Sequence, residues 1–173
     1  IRAHNYTQII NPIWAKDIYK LRKYFVYLCK LRNLLLGKNQ NFCVDSPVGT
    51  IYSLSRIQYY PSGGGFMATH KDDRGQRVNK KSGLKNYFQI LFLMTKKGKD
   101  FETGGGYIIK NNKRIIHDDY TDQGDIIIYD GNIEHGVSTI DSYLPLNNDN
   151  KRLKGRFVLA VNFYNTSISA RSI

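Results

Sequence analysis

From residue 50 to residue 165 the chain is divided into short runs of β-branched, aromatic and aliphatic residues, each stopped by Gly, Asn, Asp or Pro. The runs fall at 51–60, 87–94, 107–109, 114–116, 125–129, 137–140 and 155–164. Pro61-Ser62-Gly63 ends the first, Asn111-Asn112 joins the third and fourth as a hairpin, and Asp130-Gly131 stops the fifth. A chain cut into strands this short buries its apolar faces by curling into a sandwich or barrel.

Upstream the period changes. Ile13, Trp14, Ile18, Leu21, Phe25, Leu28, Leu31, Leu34 and Leu35 recur mostly at three- and four-residue steps, with Lys16, Lys20, Lys23 and Lys30 between them. Asn11 as N-cap, Pro12 at the first helical position and Gly37 at the stop predict a helix over 11–37 that lays its apolar stripe on a sheet. The expected fold is therefore mainly β, residues 50–165, with a supporting N-terminal helix. With 173 residues, 41% of them hydrophobic, the chain can bury one sizeable core, so 1–173 is read as a single domain.

No run approaches the ~18 uncharged apolar residues of a membrane span, and the first residues have no signal-peptide pattern. A soluble, intracellular protein is the expectation, with the compartment left open because the chain does not begin with Met. Cys29 and Cys43 are too few for a disulfide framework or a cysteine-rich zinc site and are read as ordinary thiols. The formal charge of +12 attracts anions, but Lys and Arg are spread along the chain in short clusters such as Lys96-Lys97. Scattered solvated lysines explain this charge, and a nucleic-acid surface is an alternative that it leaves open.

Chemistry concentrates in His70-Lys71-Asp72, which follows Tyr59-Tyr60-Pro61 and the turn Ser62-Gly63-Gly64-Gly65. A second histidine stands in Glu134-His135-Gly136. Two neutral imidazoles and one carboxylate can take one face of an octahedral ferrous ion and leave the other face open, which suits iron and oxygen chemistry. A competing triplet, His117-Asp118-Asp119, lies only 18 residues before His135, room for little more than one strand, whereas His70 lies 65 residues before it. The first triplet is favoured, and His117 is expected to be exposed in a charged loop. His4 has no neighbour at ligand spacing.

A divalent ion so held keeps one net positive charge, and a dianionic cosubstrate then needs one cation at its far end. Arg156 opens the strand after His135 and is placed to supply a planar fork; Arg152, in the preceding loop, competes. Glu134 is expected to be an exposed carboxylate. Gly63-Gly64-Gly65 and Gly104-Gly105-Gly106 lack the Lys-Ser/Thr and helix of a phosphate cradle and are read as turns or close approaches of backbone.

The order His70-Lys71-Asp72, the strand 87–94, Glu102-Thr103-Gly104-Gly105-Gly106-Tyr107, Gly124-Asp125-Ile126-Ile127-Ile128-Tyr129, His135-Gly136-Val137 and Gly155-Arg156-Phe157-Val158 resembles the 2-oxoglutarate and iron(II)-dependent oxygenases, particularly their prolyl-hydroxylase-like group. The resemblance implies a double-stranded β-helix, a jelly-roll of cupin-like form. It also implies Fe(II), 2-oxoglutarate and dioxygen as cofactor and cosubstrates, released as succinate and carbon dioxide while hydrogen is taken from a substrate. His70, Asp72 and His135 would be the ligands, and Arg156 would bind the far carboxylate of 2-oxoglutarate. Tyr59 or Tyr60 would assist it, with Tyr59 preferred.

Two departures stand out. His135 and Arg156 are 21 residues apart, wider than the family's usual spacing, through an insertion at 141–154; and Val158 stands where many members carry Ser or Thr. The presence of Asp72 implies hydroxylation, desaturation or ring closure rather than halogenation. Asn162 replaces the second Arg of the nucleic-acid demethylases. The expected substrate is a small molecule, amino acid or peptidyl residue, possibly an acidic one, recognised by the loops 73–85 and 141–154. A cupin-like binding module without turnover is the alternative.

Overall fold

A computed structural model describes residues 3–72, 80, 83–84, 86–146 and 153–165. Their strands form two five-stranded antiparallel sheets. One contains β1 (His4–Asn5), β4 (Phe66–His70), β9 (His135–Ser138), β6 (Gly105–Lys110) and β7 (Lys113–Ile116), in the order β1-β4-β9-β6-β7. The other contains β2 (Thr7–Ile10), β3 (Ile51–Pro61), β10 (Gly155–Asn165), β5 (Phe88–Leu93) and β8 (Ile126–Asp130), in the order β2-β3-β10-β5-β8. The chain passes from one sheet to the other between β1 and β2, β3 and β4, β4 and β5, β5 and β6, β7 and β8, β8 and β9, and β9 and β10. This is the jelly-roll the sequence predicts, although the sheets do not close into a continuous barrel. The seven expected strands all form, and His4–Asn5, Thr7–Ile10 and Phe66–His70 add three more, the last just after the Gly turn.

Strand parity sorts the core. On β3 and β10, Ile57, Leu159 and Val161 face outward into a cluster with Ile13, Phe25, Leu28, Cys29, Val44 and Ile90. Inward, Val158 and Ala160 join Leu91 and Leu93, while Arg56, Gln58, Tyr60 and Asn162 line an internal cavity. Alternation by two residues thus puts grease under the helix and polar groups between the sheets. Asn111 and Asn112, with φ of 51° and 59°, make the tight turn joining β6 and β7.

The helix differs from its expected bounds. α1 runs over Arg22–Leu35 and packs on β10 and β5. Asn11 does not cap it, because its side-chain amide donates to the carbonyls of Lys16 and Pro12. Asp17 does the satisfying instead: its carboxylate accepts from the amides of Leu21 at 2.9 Å and Arg22 at 3.3 Å. The later start resets the phase, so the buried stripe is Phe25, Leu28, Cys29 and Arg32, while Trp14, Ile18, Leu34 and Leu35 are exposed. Arg32 lies over the Phe163 ring, its Cζ 3.5 Å from the centroid, and donates to Ser53 Oγ and Asn33 Oδ1. Cys29 and Cys43 are buried free thiols. No helix of the described residues is long and apolar enough to cross a membrane.

Asp141 ties the Gly turn to the rest. It is buried, holds a left-handed backbone at φ 45°, and accepts from the amides of Glu102 and Thr103, both at 2.8 Å, and from Ser62 Oγ at 2.7 Å. The amides of Gly63 and Gly64 both reach Ile140 carbonyl beside it. Gly63 itself has φ 82°, and a Cβ there would run into the backbone of Pro145. Removing the carboxylate strands three donors, so Asp141→Ala is expected to lower stability by about 3 kcal/mol in urea denaturation.

Candidate metal centre and its cavity

Antiparallel pairing of β4 with β9 sets His70 directly opposite His135, across an irregularity between Met67 and His70 that re-aims the strand end. Their ring centroids are 4.3 Å apart. Asp72 follows His70 at the strand exit, where its amide donates to Gly131 carbonyl. The carboxylate lies between the rings: His70 Nε2 is 3.6 Å from Oδ1 and His135 Nε2 is 3.3 Å from Oδ2. One ligand atom from each residue falls within a 4.8 Å cluster. Adjacent ligands of an octahedral ion with ~2.1 Å bonds are about 3 Å apart, so small side-chain shifts close the cluster on a metal.

The histidines are oriented for this. Nδ1 of His70 is 2.8 Å from Ala68 carbonyl and Nδ1 of His135 is 2.8 Å from Ile133 carbonyl. A carbonyl only accepts, so each Nδ1 carries a proton, and in a neutral ring Nε2 is the nitrogen left to face a metal. Burial pushes Asp72 up, but contacts from His135, His70 and Gln89 prevail and hold it well below the ordinary carboxylate range. Gln89 donates to Asp72 Oδ2 from β5 in the opposite sheet. Two imidazoles with Nε2 turned inward and an ionised, oriented carboxylate fit a divalent ion such as Fe(II). Glu134 is exposed and faces away.

The three residues open into a cavity of about 320 Å³ between the sheets. Arg156 also lines it, 2% exposed, but it already holds a carboxylate. Its Nε donates to Asp118 Oδ2 at 2.6 Å and its Nη2 to Oδ1 at 3.2 Å. Asp118 is buried, and Oδ2 also accepts from the Gly106 amide at 2.6 Å. Gly106 must be glycine here, since a Cβ would strike the His117 ring and Arg156 Nη2. Arg152 lies outside the described residues, as do most of 73–85 and residues 147–152 of the insertion.

Two sequence expectations are corrected. His117 is a cavity-wall residue, not an exposed one: its side chain is 12% exposed and its Nδ1 approaches Asp118 Oδ1 at 3.3 Å. Burial holds its pKa below the usual histidine value, so it is neutral at neutral pH. Tyr59 points out of the cavity, stacked on Phe157 at 4.3 Å between centroids, with its hydroxyl donating to Lys154 carbonyl. Tyr60 takes the inward position, in register with Arg156 and 2% exposed. Arg56, Gln89, Tyr87, Tyr129 and Asn162 complete the polar wall without having been signalled by any motif.

Asp118 gives a pH signature. Burial alone would raise its pKa, but Arg156 and His117 override this and hold it well below the ordinary value of about 4. The unfolded chain therefore binds the extra proton first, and the stability the pair contributes is present above about pH 4 and is lost as the pH falls. Asp118→Asn leaves Arg156 buried and unpaired, so it should cost about 3 kcal/mol at pH 7 and progressively less towards pH 2, followed by urea denaturation at each pH.

No protein-family model matches this chain, and no curated protein matches it. Solved structures do. AviO1 from Streptomyces viridochromogenes Tue57 is 11% identical with a TM-score of 0.48, over 92% of this chain and 67% of that one. An RmlC-like cupin protein from Desulfovibrio desulfuricans is 11% identical with a TM-score of 0.33, over 68% of this chain and 74% of that one. A prolyl-4-hydroxylase from Pseudomonas putida is 15% identical with a TM-score of 0.53, over 95% of this chain and 73% of that one. The chain thus shares its jelly-roll fold with a prolyl-4-hydroxylase and carries a His-Asp-His cluster able to hold a metal ion.

Proposed function

We propose that the chain is an Fe(II)- and 2-oxoglutarate-dependent dioxygenase that hydroxylates, desaturates or cyclises a small-molecule, amino-acid or peptidyl substrate. The observation that carries this reading is the convergence of two histidine Nε2 atoms and one ionised carboxylate on a cavity that also contains a buried arginine. The fold shared with a prolyl-4-hydroxylase supports it. His70, Asp72 and His135 would hold iron, which when bound brings dioxygen and the 2-oxo acid together and couples decarboxylation of the cosubstrate to oxidation of the substrate.

The chain's own residues do the rest. Gln89 orients the Asp72 carboxylate, and the Ala68 and Ile133 carbonyls keep both imidazoles in the ligating tautomer. Arg156 and Tyr60 form the seat for the far carboxylate of 2-oxoglutarate, the role first given to Arg156 with Tyr59. Because Asp118 occupies Nε and Nη2, the cosubstrate meets Arg156 through Nη1, and Asp118 fixes the plane of the fork. Apolar Leu91, Val137 and Met67 border the polar wall and limit water around the reacting groups.

Anaerobic addition of Fe(II) and 2-oxoglutarate should produce their weak visible charge-transfer band. His135→Ala should abolish the band, and Arg156→Ala should raise the 2-oxoglutarate needed for half-formation at least about tenfold. A folded protein that takes up iron but gives no band would overturn the reading in favour of a binding module.

A further inference from the structure

The cavity contains a second guanidinium that the proposed chemistry leaves unused. Arg56 reaches it from β3, and its hydrogen bonds go to uncharged acceptors: Nη2 donates to Asn162 Oδ1 at 2.5 Å and Nη1 to the Tyr164 hydroxyl at 3.4 Å. Its Nε is buried with no partner. Among the described residues no carboxylate lies within ion-pairing distance of Arg56, whereas Arg156 has Asp118. The acid linked to Arg56 through Asn162 and Gln89 is Asp72, whose charge the proposed metal would engage. An interior cation without a directly paired anion is costly, and among the described residues the carboxylate that acts on Arg56 is Asp72, from beyond ion-pairing distance.

Arg56 and Arg156 serve different ends of the cavity. Arg156 is in register with Tyr60, and Arg56 lies four residues back along β3, about 13 Å away by strand rise. The Arg56 guanidinium is turned further away, toward Asn162 and Tyr164, which pair with Leu54 and Tyr52 beyond it on β3, so the two forks address different ends of the cavity. Asn162 and Gln89 connect Arg56 instead to the Asp72 side of the metal centre. The cavity, about 320 Å³, is at the small end of ligand pockets, which run from about 300 Å³ upward.

Resting on the oxygenase reading, we propose that the primary substrate is a small carboxylic acid whose carboxylate is bound by Arg56, at the opposite end of the cavity from Arg156. Asn162 and Tyr164 hold the guanidinium ready, and a carboxylate matches its planar fork better than a neutral group does.

The test uses protein loaded anaerobically with Fe(II) and 2-oxoglutarate. The probes are the common free L-amino acids, simple 2-hydroxy acids, and the carboxamides of both sets, read by perturbation of the visible band and by oxygen uptake on aeration. At least one acid should perturb the band while its carboxamide does not. Arg56→Gln should weaken that acid at least about tenfold with half-saturation by 2-oxoglutarate unchanged, and Arg56→Lys should recover part of the loss. Thermal unfolding of both variants checks that they fold. The proposal is overturned by carboxamides that act as well as the acids, by an Arg56→Gln variant that binds the acid normally, or by an intact band with no acid bound. A weaker hold on 2-oxoglutarate in Arg56→Gln would also overturn it and move Arg56 to the cosubstrate. A missing band removes the oxygenase reading itself, and this proposal with it.

Discussion

The antiparallel pairing of β4 with β9 is the constraint on which the candidate site depends. It puts His70 opposite His135 at the same end of one sheet, and the local irregularity beside His70 turns Asp72 back between the two rings. Neither imidazole would be useful if it were free to rotate. Each is fixed by a hydrogen bond to the carbonyl two residues before it, which also leaves Nε2 as the nitrogen turned to the cluster. The second sheet contributes through Gln89, so the three-residue cluster is gripped from both faces of the jelly-roll.

Charge is distributed in the cavity in three separate units. The His-Asp-His cluster would balance part of a divalent ion. Arg156 and Asp118 form a buried pair that closes the region near Tyr60, with the Gly106 amide completing the Asp118 shell. Arg56 stands apart with amide and hydroxyl partners. A buried pair of this kind adds little net stability over apolar residues of the same size, because desolvation offsets most of its attraction. Its value here is positional: it holds a guanidinium in one orientation against the cavity. The +12 formal charge of the whole chain says much less about ligands than these two arginines do.

Much of the fold was legible because turn residues bracket each strand, and the three clustered residues were legible because a His-x-Asp triplet and a distant His form a pattern in the linear order. What escaped depends on long-range register. Tyr59 and Tyr60 are chemically alike, and only the pairing of Tyr60 with Arg156 across β3 and β10 decides which one faces inward. Asp118 reads as one acid in a charged loop, and nothing local shows that it meets an arginine 38 residues away. The helix was drawn too long because Asn11 and Pro12 form a persuasive start signal, whereas Asp17 supplies the acceptor and α1 begins at Arg22. No motif marks Arg56 in the run 51–60; its interior position follows from sharing a face with Gln58 and Tyr60.

The central claim is that this site couples 2-oxoglutarate to oxygen through a metal held by His70, Asp72 and His135. The most direct measurement is succinate formed from 2-oxoglutarate by iron-loaded protein in air, without added substrate, beside a His70→Ala variant. The account predicts slow succinate release that requires both iron and oxygen and disappears in the variant. Succinate at the buffer rate from protein that binds one equivalent of iron would contradict it.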